Sequence, residues 1–131
     1  MATPTLVTHK GRRVTREFAA ALADVDKEVP GAVYTQGGWN GGRVSASAGT
    51  HDQDAADVSV RGKSRAWVAR YITACRKRGL FASFRTTRVG KWGVRGQGFS
   101  SYHVHIVGNL WGYQSSGAAH QAREYRAGRD G

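Results

Sequence analysis

Helical and strand-like periodicities alternate along this chain of 131 residues, and that alternation does most to limit its fold. Residues 14–29 repeat apolar side chains at helical spacing (Val14, Phe18, Leu22, Val25) until Pro30-Gly31 interrupts them. Residues 64–78 do so again. Ser64 stands where an N-cap belongs, and Trp67, Val68, Tyr71, Ile72 and Cys75 form one face. Arg76, Lys77 and Arg78 followed by Gly79 suit a helix C-terminus, where the dipole favours cations and glycine accepts a left-handed backbone. Short runs at 32–35, 55–60, 80–86 and 102–107 read as strands. Residues 36–49 and 87–101 are glycine-rich and predict loops, and residues 114–126 predict a last helix with Ala118, Ala122 and Tyr125 inward. Helices mixed with non-adjacent strands predict an α+β fold. We expect a small single domain over residues 1–131, with a central antiparallel sheet, flanking helices and an extended N-terminal segment at 1–13.

Charge then narrows the partners. The chain has 20 Lys+Arg against 9 Asp+Glu, a formal net charge of +11. No carboxylate occurs between Asp57 and Glu124, a stretch that contains Arg61, Lys63, Arg65, Arg70, Arg76, Lys77, Arg78, Arg85, Arg88, Lys91, Arg95 and Arg123. An unopposed basic region of this length implies a polyanion, either nucleic acid or an anionic bacterial wall. The single cysteine, Cys75, excludes a disulfide framework and a cysteine-built zinc finger, and its apolar helix face makes it a core residue. No window is long and apolar enough for a membrane span. The first 13 residues lack the apolar run of a signal peptide, so synthesis in a cytoplasm is expected.

Two segments carry chemistry. His103 and His105 stand at i and i+2 in a strand, on one face, while apolar Val104 and Ile106 take the other. Earlier, Gly49-Thr50-His51-Asp52-Gln53-Asp54-Ala55-Ala56-Asp57 leads a histidine through a turn into a strand bearing an aspartate. His51, Asp57 and one histidine of the later pair would make a His-His-Asp site, and catalytic zinc commonly takes three such N/O ligands with water in a fourth position. Gln36 and Asn40 are candidate hydrogen-bonding residues for substrate, Arg43 a candidate partner for a substrate carboxylate, and Trp92 and Trp111 are groove or packing residues. His9 and His120 have no motif partner.

These segments resemble the zinc D-alanyl-D-alanine carboxypeptidase family, which includes phage L-alanyl-D-glutamate endolysins. The match is carried by Ser47-Ala48-Gly49-Thr50-His51-Asp52 with Asp57 after it, and by the His103-Val104-His105 strand. Gln36-Gly37-Gly38-Trp39-Asn40 and the C-terminal Gln121, Tyr125 and Gly128 support it, so the resemblance spans roughly residues 33–131. It implies a peptidase-like sheet with zinc held by His51, Asp57 and His105, and with His103 as a non-ligand histidine that stabilises the intermediate or moves a proton. It also implies peptidoglycan as substrate and action at the cell wall or within a virion, beside other virion proteins.

Two departures from the family pattern stand out. The histidine-to-aspartate spacing is six here where the family has seven, so Asp54 is the alternative ligand to Asp57. The position three residues before the last histidine, acidic in many members, is Tyr102. A base would then have to be His103, Asp52, Asp54 or Glu124. Three functions follow as expectations. The first is a zinc peptidase of bacterial peptidoglycan. The second is a non-enzymatic phage structural or binding module on the same scaffold. The third, a nucleic-acid-binding protein or nuclease, rests on the charge and on Asn109 beside the late histidines, and leaves the His51 segment unexplained.

Overall fold

The computed structural model describes residues 5–39, 54–85 and 103–108, together with Arg123. Within them lie two helices and two antiparallel sheets, a small α+β domain. Strands β1 (Leu6–His9) and β2 (Arg12–Thr15) form a hairpin. Helix α1 (Arg16–Glu28) follows, then β3 (Tyr34–Gln36) and β4 (Ala55–Ser59). Helix α2 (Arg65–Lys77), β5 (Phe81–Arg85) and β6 (His103–Val107) complete the set. The second sheet runs β3-β4-β6-β5, all antiparallel. Its two central strands, β4 and β6, are the ones that bear the aspartate and the histidine pair. Of the helix expected at 114–126, only Arg123 is described, and it is helical.

The N-terminal segment is more than extended chain: it pairs with itself. Lys10 and Gly11, both at positive φ (47° and 84°), make the two-residue turn that matches strand twist in a hairpin. The helix expected from residue 14 begins at Arg16 instead. Val14 belongs to β2, opposite Val7, and Thr15 is the N-cap whose hydroxyl accepts from the Phe18 N–H. Val14 shares the helical spacing of Phe18, Leu22 and Val25 because it enters the same core from the preceding strand. Helix α2 has the cap its sequence predicts, Ser64 accepting from Trp67 N, and Gly79 follows it at φ 81°.

Both helices cover one face of the large sheet. Phe18, Leu22 and Val25 of α1 and Trp67, Val68, Tyr71, Ile72 and Cys75 of α2 bury against Ala56 and Val58 of β4, Ala82 of β5, and Val104 and Ile106 of β6. Side-chain and backbone ties hold the layers in place. Trp67 Nε1 donates to the Pro30 carbonyl, Arg76 donates twice to the Ala82 carbonyl, and Arg12 Nε donates to the Tyr34 carbonyl. Beside β2, Gly37 is a required glycine, since a Cβ there would stand 2.8 Å from Arg12 Cβ and 3.0 Å from Arg13 N.

Candidate metal centre

Strand pairing assembles the centre. In the β4–β6 ladder Asp57 is directly opposite His105, and Ser59 is opposite His103. Residues opposite each other in an antiparallel pair share a face, and so do residues two apart. Asp57, His103 and His105 therefore converge on the face away from the helices, although 48 residues separate Asp57 from His105 in the chain. Asp57 Oδ1 is 2.9 Å from His105 Nδ1 and 3.6 Å from His103 Nε2. The two imidazole rings stand edge to face, 6.5 Å between centroids. Asp57 and His105 are buried, and His103 is nearly so.

The three ligand atoms lie within 4.8 Å of one another, a group able to hold a metal ion. Bonds of about 2.0–2.2 Å at tetrahedral angles set N and O ligands roughly 3.3 Å apart. The two Asp57 distances, 2.9 and 3.6 Å, bracket that separation. Two imidazoles and a carboxylate suit zinc and other divalent first-row metals. A carboxylate so buried needs a cation or a donor beside it, and His105 Nδ1 stands at hydrogen-bond distance.

The rest of the face is layered by register. One row, across β4 and β6, is Ser59 and His103; the next, with β5, is Asp57, His105 and Ser83; the third is apolar Ala55, Val107 and Phe81. Ser83, fully buried opposite His105, is a residue that sequence reasoning missed. Nothing in its own neighbourhood marks it, because only the β5–β6 register brings it there.

Asp54 occupies a different place. Its carboxylate accepts from Thr15 N at 2.9 Å, from the Thr15 hydroxyl and from Trp39 Nε1 at 3.0 Å, fully buried. It joins the N-cap of α1 to the start of β4, three residues before Asp57. Of the two aspartates weighed as ligands, Asp57 is the one within the cluster. His51, Asn40 and Arg43 lie outside the described residues, as do Asp52, Tyr102, Glu124, Trp92 and Trp111. Gln36 is described, and pairs opposite Asp57 from β3.

His9, without a motif partner in sequence, belongs to a second polar group on the helix side. Its Nε2 is 3.0 Å from Asp26 Oδ2, and the Tyr34 hydroxyl donates to the same carboxylate and meets the Tyr71 hydroxyl at 2.7 Å. Burial pushes both tyrosines and the Cys75 thiol well above their ordinary ranges, so all three stay protonated. Among the described residues no helix is long and apolar enough to cross a membrane. Comparison with protein-family models, curated proteins and solved structures returns no match.

Proposed function

We propose that the protein is a zinc-dependent peptidase that cleaves the peptide part of bacterial peptidoglycan, in a phage-associated setting. The observation that carries this reading is the convergence of Asp57, His103 and His105 on adjacent central strands. The resemblance of the His51 and His103-Val104-His105 segments to the zinc carboxypeptidase and endolysin family supplies the substrate class. A bound zinc would polarise the scissile carbonyl and activate water. Asp57 and His105, with His51, would hold it. His103 sits on the same face, where it either completes the ligand set or carries a proton to the leaving amine. The exposed residues Arg65, Arg70, Arg76 and Lys77 give α2 a basic outer surface with no acid in its sequence, which suits attachment to an anionic wall.

A second reading, a metal-holding binding module without peptidase activity, is favoured by one observation. Asp57 is the only carboxylate in the described cluster, and the nearest other one along β4, Asp54, is engaged by Thr15 and Trp39. General-base help is worth about 10²–10⁴-fold, so a centre without it would cleave that much more slowly. The test is metal analysis of the purified chain by mass spectrometry, with digestion of purified peptidoglycan by the same sample. Stoichiometric zinc with chelator-sensitive release of peptide fragments is expected. Full cleavage by metal-free protein would overturn the peptidase mechanism, and zinc without cleavage would select the binding module.

A further inference from the structure

Strand β3 contains an irregularity that changes what faces the centre. Tyr34 pairs with Val58, and a regular antiparallel ladder would then set Gln36 opposite Ala56, a core residue. Instead Gln36 pairs with Asp57: the register shifts by one residue between Tyr34 and Gln36. A bulge of this kind moves a side chain from one face of a sheet to the other. Here it takes a polar amide off the helix-covered face and turns it to the face of Asp57, His103 and His105.

That amide is incompletely satisfied. Gln36 Nε2 is buried and has no hydrogen-bond partner among the described residues. It is the one buried side-chain N or O atom among them in that condition. Leaving a buried donor unpaired costs about 1–3 kcal/mol, a cost that persists in a fold only where something offsets it. Bulges beside functional sites commonly re-aim one side chain. Residues directly opposite across a ladder have Cβ atoms about 5 Å apart, so Gln36 stands next to Asp57.

We infer that Gln36 is a ligand-binding residue of the metal centre, its Nε2–H donating to a carbonyl or carboxylate oxygen of the molecule bound there. The inference rests on the metal reading of Asp57, His103 and His105. An amide donor is neutral, so it recognises an oxygen acceptor without competing for the metal as a histidine or carboxylate would. The bulge is the device that delivers it: without the extra residue, Gln36 would lie in the apolar layer beside Ala56.

The experiment uses the full chain and two readouts, with Gln36→Met as the variant that keeps length and removes the donor. First, zinc affinity and the melting temperature of the metal-free protein are measured for both proteins. Second, the zinc-loaded proteins are titrated with acetohydroxamate, a small ligand that presents a carbonyl oxygen to a metal. Gln36→Met is expected to keep zinc affinity within about twofold, to melt at the same or a higher temperature, and to bind acetohydroxamate about 3- to 10-fold more weakly. Unchanged acetohydroxamate affinity in a zinc-loaded variant overturns this inference alone. So does a lower melting temperature of the metal-free variant, which would show that the amide is already partnered within the fold. A wild-type chain that takes up no zinc overturns the metal reading, and this inference with it.

Discussion

The two faces of the four-stranded sheet are made by alternate residues of the same strands, yet one is apolar throughout and the other sets a polar cluster beside a single apolar row. On β6, Val104 and Ile106 are fully buried against the helices, while His103 and His105 point the other way with Asp57 of β4. On β4, Ala56 and Val58 join the helix-side core, while Asp57 and Ser59 belong to the opposite face. The difference teaches how a small domain separates tasks. Free energy from apolar burial fixes the strands from one side. The rigidity so obtained positions a buried aspartate and two histidines on the other, which are costly to bury and useful once held.

The sharpest way to break this comparison is a pair of substitutions one residue apart. His105→Asn, whose amide keeps a donor near the place of Nδ1 beside the buried Asp57, should weaken zinc uptake by about 100-fold or more, with little change in the melting temperature of the metal-free protein, as read by calorimetry. Ile106→Ala should do the reverse. It should cost about 2–5 kcal/mol in urea unfolding and leave zinc affinity intact under conditions where the protein remains folded. If both variants lost stability and zinc together, the two faces would not be separable.

A smaller effect tests the link between the layers. Asp54→Asn keeps the shape but replaces one carboxylate acceptor by an amide donor beside the Thr15 hydroxyl and the Thr15 N–H. A loss of about 1–3 kcal/mol is expected in the same unfolding measurement, without loss of metal. Loss of peptidase turnover at unchanged stability would instead make Asp54 a proton carrier.

The smallest effect belongs to the surface. Glu28 at the end of α1 meets Arg78 at 2.8 Å and Lys77 at 3.0 Å, and hydrogen bonds from these two hold its carboxyl below the usual value of 4.5. A carboxyl with a lowered folded-state pKa stabilises the fold above its unfolded value, and that contribution disappears as pH falls through the folded value. Glu28→Gln should therefore lower the melting temperature slightly at pH 7 and not at all in strong acid. High salt should shrink the difference further, since the pair is exposed.

Much of the fold was legible because local signals and tertiary packing agree. The cap Ser64 and the apolar stripe after it marked α2, whereas helical spacing alone drew Val14 into α1 and hid the cap Thr15. The alternation in His103-Val104-His105-Ile106 made one face polar and one apolar before any partner strand was known. The N-terminal hairpin was not legible, because Lys10 occupies a left-handed position that lysine rarely marks and only Gly11 hinted at a turn. Asp26 with His9, Tyr34 and Tyr71 was equally hidden, since contacts over 8 to 37 residues leave no local pattern.

The sequence by itself determined which residues have donor chemistry and which strands alternate, because periodicity is a property of a single segment. Only the tertiary structure decided which donors meet. Asp57 rather than Asp54 joins the histidines because it is in register with His105, while Asp54 turns to Thr15 and Trp39. His103 joins the same cluster through the diagonal of that ladder, and Gln36 reaches the face only through a one-residue shift in β3. Register and bulges are set by the packing of whole strands, so no spacing along the chain encodes them alone.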